Sequence, residues 1–175
     1  MCRKESLKEG FTHGGMFHAD DVFATALLKI INPDIRIFRG FTVPENFSGI
    51  VYDVGRGKYD HHQQDSRVRE NGVPYAAFGL LWEQFGETVL DSEDARKFDE
   101  DFIQPLDRAD NTGEKNMLAL VIADKCPTWQ EDQNQSMDEA FSEAVEFAEV
   151  ILEGRFKQIR ANRAAYETVC RHIRK

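Results

Sequence analysis

Residues 50–54 read Ile-Val-Tyr-Asp-Val, a run of strand formers that is apolar up to one carboxylate. Such a run suits a strand covered on both faces, which means a parallel sheet flanked by helices. The charge of Asp53 at its end is unfavourable unless it is paired or holds a metal ion. The residues before it complete the unit. A short strand around residues 11–12 runs into Gly14 and Gly15. Val22, Phe23, Ala26, Leu27, Ile30 and Ile31 then recur at the helical period. Asp20 or Asp21 falls in the first turn of that helix, where a carboxylate suits the free amides and the dipole. Asn32-Pro33 stops it, and residues 35–39 form the next strand candidate. Strand, helix, strand in this order predicts an α/β fold with a mainly parallel sheet.

The remainder reads as helical. Residues 63–73 are polar and predict a mobile loop. Phe78, Leu81, Trp82 and Phe85 then mark a helix closed by Gly86. A further helix is expected from residue 93 to about 106, and a short one within residues 116–124. Ser136 and Glu139 have capping-box spacing. They open a long stretch in which Phe141, Ala144, Val145, Ala148, Ile151, Leu152, Phe156 and Ile159 share a face, with Gly154 a candidate kink. That stripe suits core packing or a dimer seam better than a cofactor. The expected organisation is a metal-binding α/β part over residues 1–125. A helical extension over 126–175 would pack on it or mediate a homodimer.

Charge narrows the functions. Of 175 residues, 22 are Lys or Arg and 31 Asp or Glu, a formal charge of −9. A protein that coats long nucleic acid needs a basic surface to displace counterions. A small phosphorylated substrate is compatible, because bound cations reverse the local field. Cys2, Cys126 and Cys170 are odd in number and widely spaced, with no CxxC pair and no disulfide framework. A reducing compartment follows. The first residues lack an apolar signal core and no long apolar run exists, so a cytoplasmic protein without membrane contact is expected.

Four clusters carry chemistry. The first is Thr12-His13-Gly14-Gly15-Met16-Phe17-His18-Ala19-Asp20-Asp21, in which glycines let the backbone fold tightly enough for side chains to converge. The second is Asp53, the third Asp60-His61-His62-Gln63, and the fourth Asp107-Arg108-Ala109-Asp110-Asn111. Four of the five histidines lie in two of these segments, beside aspartates. Any one cluster alone could be structural. Together, imidazole and carboxylate without thiolate suit Mn²⁺, Mg²⁺, Fe²⁺ or Zn²⁺ in a catalytic site. The ligands outnumber what one ion needs, so a two-ion site with Asp53 as the bridge uses them best.

These segments, with Val-Tyr-Asp-Val-Gly (51–55), Lys-Tyr-Asp-His-His-Gln (58–63), Ala-Asp-Asn (109–111) and Cys-Pro-Thr-Trp (126–129), resemble the DHH phosphoesterase superfamily. More closely, they resemble the melanocyte proliferating gene family of metal-dependent exonuclease-like proteins, over roughly residues 10–165. The resemblance implies a doubly wound sheet with two ions, typically Mn²⁺, at the C-terminal strand ends. It implies His13, His18 and Asp20 as first-motif ligands, Asp53 as the bridge and His61 as a further ligand. His62 would face the substrate phosphate, and Asp60 would orient the histidines beside it. In the fourth motif the choice between Asp107 and Asp110 stays open. Asp21 stands where the family has Glu, a change expected to lie outside the ligand set. Gln64 stands where an arginine is common, leaving Arg67, Arg69 or Arg108 as phosphate contacts. Members of the family continue well past the position of Lys175, so part of the substrate surface is expected to be missing here.

The function these readings predict is metal-dependent hydrolysis of phosphodiester bonds by a water that two ions activate. RNA ends, short oligonucleotides or nucleotides are the expected substrates. The competing readings are a non-catalytic metal- or nucleotide-binding module with a helical assembly tail, and a zinc hydrolase acting on amides or esters.

Overall fold

The computed structural model describes residues 7–128 and 136–173. It is a mixed α/β fold with a small parallel sheet and a helical C-terminal part. Strand β1 (Glu9–His13) leads through a glycine loop into helix α1 (Ala19–Ile31), which returns to β2 (Arg36–Gly40). The chain then crosses to the far side of β1 and forms β3 (Ile50–Val51), giving the order β2-β1-β3 with both pairings parallel. With β1 central, its two neighbours are reached in opposite directions. In open α/β sheets that switch point opens a crevice beyond the C-terminal strand ends.

β3 is shorter than the apolar run suggests. The Tyr52 amide still donates to the Phe11 carbonyl at 3.0 Å, but Tyr52 then bridges to Tyr59, and the Asp53 amide donates to the Tyr59 carbonyl at 2.9 Å. Asp53 itself has φ +56°, so the chain leaves the strand direction at the carboxylate. Residues 63–73 also differ from the mobile loop expected. Val68 pairs with Pro74, and the amides of Arg69 and Tyr75 donate to Val73 and Arg67, so most of the segment is a pinned hairpin.

Helices α2 (Ala77–Phe85), α3 (Ser92–Phe98), α4 (Gln104–Thr112), α5 (Met117–Ala123) and α6 (Met137–Ile173) follow. The single helix expected over 93–106 is two, α3 and α4, joined by a π-helical turn, Asp99–Ile103. Pro105 in the first turn of α4 has no amide to give, and the Gln104 amide reaches back five residues to Asp99 instead. α1 is almost wholly buried, between α2 and α6. Phe23, Phe78, Trp82, Phe98 and Phe156 form its aromatic core.

Ser136 and Glu139 exchange amide bonds at 2.8 and 3.2 Å, starting α6, which runs unbroken through Gly154. Its first half buries Phe141, Val145, Leu152 and Phe156, side chains worth roughly 1.5–3 kcal/mol each on burial. Past Ile159 the helix stays tied to the start of α3, Arg160 donating to the Val89 carbonyl at 2.6 Å and Arg163 pairing with Asp91 and Asp94, while Tyr166, Val169 and Ile173 are exposed. Trp129, quoted above, lies outside the described residues. No helix among those described is long and apolar enough to cross a membrane.

Candidate metal centre

The crevice beyond β1 and β3 gathers the clusters. β1 ends on His13, beside Gly40 of β2. The chain turns through Gly14, whose amide donates to the Gly40 carbonyl at 2.9 Å, and through Gly15 at φ +82°. A side chain at Gly14 would press on the backbone of Gly40, which explains the glycine. The His18 amide, just ahead of α1, donates to Asp21 Oδ1 at 2.8 Å. That bond fixes the Asp21 carboxylate and leaves its second oxygen facing His13.

His13 Nε2 stands 3.2 Å from Asp21 Oδ2 and 3.2 Å from Asp53 Oδ2. His61 Nε2 stands 3.1 Å from Asp53 Oδ1, 3.3 Å from Asp110 Oδ2 and 3.5 Å from Asp20 Oδ2. The two oxygens of Asp53 thus face two different imidazoles. Three groups of ligand atoms, His13/Asp21/Asp53, Asp53/His61/His62 and His18/Asp20/Asp110, each lie within 4.8 Å of one another and could hold a metal ion. Asp20 Oδ1 and Asp21 Oδ2 are buried without a hydrogen bond of good geometry, although Asp21 Oδ2 is close to His13. Buried carboxylate oxygens left over in this way fit a cation.

The family described as MYG1_exonuc, Uncharacterised protein family (UPF0160), matches residues 11–175. The chain belongs to that family. It is 29% identical to the MYG1 exonuclease of Bos taurus over 177 residues, which cover 77% of this chain and 46% of the relative. The MYG1 exonuclease of Homo sapiens is 28% identical, covering 79% of this chain and 47% of its own length. The MYG1 protein of Dictyostelium discoideum is 28% identical over 127 residues, 59% of this chain and 38% of its own. The chain spans about half the length of the curated relatives it matches, or less. No solved structure matches it.

Electrostatics in this MYG1-family chain follow from crowding four carboxylates, Asp20, Asp21, Asp53 and Asp110, into one largely buried space. Burial alone would lower His13 and His61, but the adjoining aspartates outweigh it and push both up to about 11. Burial raises Asp20 and Asp21. It also raises Asp110 to about 7, helped by the charge of Asp20. Burial opposes Asp53 as well, yet hydrogen bonds from His13 and His61 win and hold it at about 2. Without metal, two imidazolium ions balance part of the negative charge.

The fold places the predicted residues unevenly. His13, His18, Asp20, Asp53, His61, His62 and Asp110 converge. Asp60 accepts from the His62 amide at 3.0 Å and sits 2.9 Å from His62 Nδ1, so it orients that ring. Asp107 turns away to Arg69, 2.8 Å distant, so of the two aspartates Asp110 is the one at the cluster. Asp21, expected outside the ligand set, is steered inward by the His18 amide and joins His13 and Asp53 in a group that could hold a metal ion.

The arginines lie elsewhere. Arg67 pairs with Glu83 at 2.5 and 2.7 Å. Arg69 is buried against Asp99 and Asp107. Arg108 is exposed and lines a depression of about 310 Å³ that adjoins the cleft at the cluster through Lys115 and Asn116. Two residues escaped the sequence reading. Asn111 reaches His61 Nδ1 at 3.3 Å while donating to the Asp107 carbonyl at 2.8 Å, and its place in Ala-Asp-Asn was the available signal. Lys115 lines the cleft of about 490 Å³ that holds His18, His61, His62 and Asp110. It makes no ion pair among the described residues, and no motif marked it.

Proposed function

We propose that this chain is a two-metal phosphoesterase that cleaves phosphodiester bonds at nucleic-acid ends or in short oligonucleotides. One observation carries the reading: Asp53 presents one oxygen to His13, which also faces Asp21, and the other to His61, which also faces Asp20 and Asp110. Four carboxylates are matched in charge by two divalent ions. His13, Asp21 and Asp53 would hold one, and Asp20, Asp53, His61 and Asp110 the other. Bound there, such ions supply Lewis acidity toward the phosphate and lower the pKa of water to make a nucleophile. Imidazole and carboxylate donors suit Mn²⁺, with Mg²⁺, Fe²⁺ and Zn²⁺ as alternatives. The strand order around β1 and the site beyond its C-terminal end support a DHH-type arrangement. The relatives named exonucleases support a nuclease-like role at low identity.

The chain's own groups have distinct tasks. His62 lines the cleft with its Nδ1 held by Asp60, which leaves Nε2 to stabilise charge or protonate a leaving oxygen. Lys115 and Asn116 line the same cleft and can meet a phosphate further along the substrate. Its volume suits a nucleotide-sized ligand.

The test is Mn²⁺ titration by calorimetry beside hydrolysis of short oligonucleotides, for the wild type and Asp53→Asn. Tight Mn²⁺ binding with turnover, both lost in Asp53→Asn with the fold retained, supports the proposal. Tight binding with no turnover on any phosphodiester gives the binding-module reading. Zinc content with ester or amide turnover and no phosphate product gives the zinc-hydrolase reading. A homodimer is a separate proposal, favoured by the exposed Tyr166, Val169 and Ile173 near the end of α6. Sedimentation equilibrium tests it, and a monomer at all concentrations refutes it.

A further inference from the structure

We infer that Phe41 is a stacking platform for the nucleobase beside the scissile phosphate, so that the site selects an unstacked single strand. This rests on the phosphoesterase reading and goes beyond it by naming the residue that recognises the base. β2 ends at Gly40, which is in register with His13, so Phe41 is the first residue past the strand on the side of the metal cluster. A Cβ built on Gly15 would lie 3.4 Å from two atoms of the Phe41 ring, so that ring seats on the loop carrying His13 and His18. Phe41 is nevertheless 83% exposed, and Met16 in the same loop is 66% exposed.

Single exposed apolar side chains are ordinary on protein surfaces. Position sets these apart. Leu120 of α5, 47% exposed, lines the cleft with His18, His61, His62 and Asp110, so an apolar side chain borders the charged cluster on the α5 side as well. A phosphodiester carries a polar, charged link between two flat aromatic groups, the same alternation the surface presents. With its phosphate at the cluster, a nucleotide has its base free to reach the rim, and Phe41 offers an exposed phenyl ring seated on the loop that carries His13 and His18. Stacking on a phenyl ring is sequence-tolerant, because every base has a π-face, and it requires a base already out of a duplex. The overall acidity of the chain fits this division of labour, since recognition by stacking needs no basic track.

The test uses the full chain in Mn²⁺ with short single-stranded oligonucleotides carrying 2-aminopurine or an abasic residue at the terminal position. Binding is read by anisotropy, and stacking by 2-aminopurine quenching on rapid mixing. The wild type and Phe41→Trp are expected to bind and quench. Phe41→Ala should lose the quenching and bind about tenfold more weakly. Removing the terminal base should cost the wild type a similar factor and cost Phe41→Ala nothing further. Melting temperature and Mn²⁺ affinity should be unchanged in Phe41→Ala, because the side chain is exposed. Equal binding by Phe41→Ala, independent losses from the two changes, a wild type that neither binds nor quenches, or a fall in Mn²⁺ affinity would each overturn the platform. A wild type that binds and quenches without cleaving leaves the platform standing and removes only the phosphoesterase reading.

Discussion

Helix α4 carries two aspartates three residues apart, and they meet opposite fates. Asp107 is fully buried, 2.8 Å from Arg69, and the same guanidinium also grips Asp99 at 2.7 Å. The Gly79 amide donates to it at 3.2 Å, and a methyl built on Gly79 would stand only 1.9 Å from its other oxygen. Asp110 instead points into a space shared with Asp20, Asp53 and His61. One carboxylate meets a cation built into the chain. The other sits among more negative charges than the chain can balance with side chains held permanently positive. A buried acid with its own guanidinium is a fastener; a buried acid without one is an invitation to an ion from solution.

The largest effect should come from breaking the fastener. Arg69→Ala leaves Asp99 and Asp107 around an empty position and is expected to cost about 3–5 kcal/mol in chemical denaturation. A loss below about 1 kcal/mol would show that the pair is not the closed unit described. The sharper contrast lies between the two aspartates. Asp110→Asn should weaken Mn²⁺ binding by more than the roughly 10- to 100-fold that removal of an outer partner costs. Asp107→Asn should leave Mn²⁺ affinity within a few fold and lower the melting temperature instead. Equal effects on affinity, read by calorimetry, would abolish the distinction.

The pH response does not separate the two aspartates. Asp110 is raised to about 7, and Asp107 likewise, chiefly by burial. Between an unfolded carboxylate pKa of about 4 and those values, the metal-free native state holds protons that the unfolded chain releases. Stability therefore falls as pH rises through that window. His13 and His61, pushed up to about 11, act with the same sign. Their contribution is complete below about 6.5 and is lost as pH rises toward 11. Asp53, held at about 2, is opposite, and its contribution is lost only in strong acid. Metal ligands must shed these protons, so Mn²⁺ affinity rises with pH. The metal-free melting temperature should fall from pH 5.5 to 8, while the increment added by Mn²⁺ grows. An increment independent of pH would place the ion elsewhere.

What could be read from the sequence, and what could not, divides along the range of the interactions. The faces of α1, α2 and the first half of α6 are local periodicities, and the residues that set them are near neighbours. β3 was overestimated because the partner that ends it, Tyr59, bridges to Tyr52 across a turn that apolarity does not reveal. Asp20 and Asp21 project about 100° apart on α1, so assigning either required the entry direction of the loop. The His18 amide sets that direction for Asp21 by holding one of its oxygens. Arg69 looked like an exposed loop cation because its partners, Asp99 and Asp107, are 30 or more residues away. Lys115 entered no motif, and only the packing of α4 against α5 brings it to the cleft.

The smallest expected effect concerns Arg67, one of the three candidate phosphate contacts. Arg67 follows the Asp-His-His segment by a few residues and was a candidate phosphate contact. In the fold it makes a two-point pair with Glu83, and Tyr75 lies beneath the guanidinium at 5.0 Å. Both charged side chains are about half exposed, so water and salt screen the pair. Arg67→Ala should change stability by no more than about 1 kcal/mol. It should leave kcat and KM on an oligonucleotide unchanged, whereas Lys115→Ala should raise KM with kcat retained. A rise in KM for Arg67→Ala, with Lys115→Ala silent, would reverse that assignment and place the substrate over α2 rather than along the cleft toward α5.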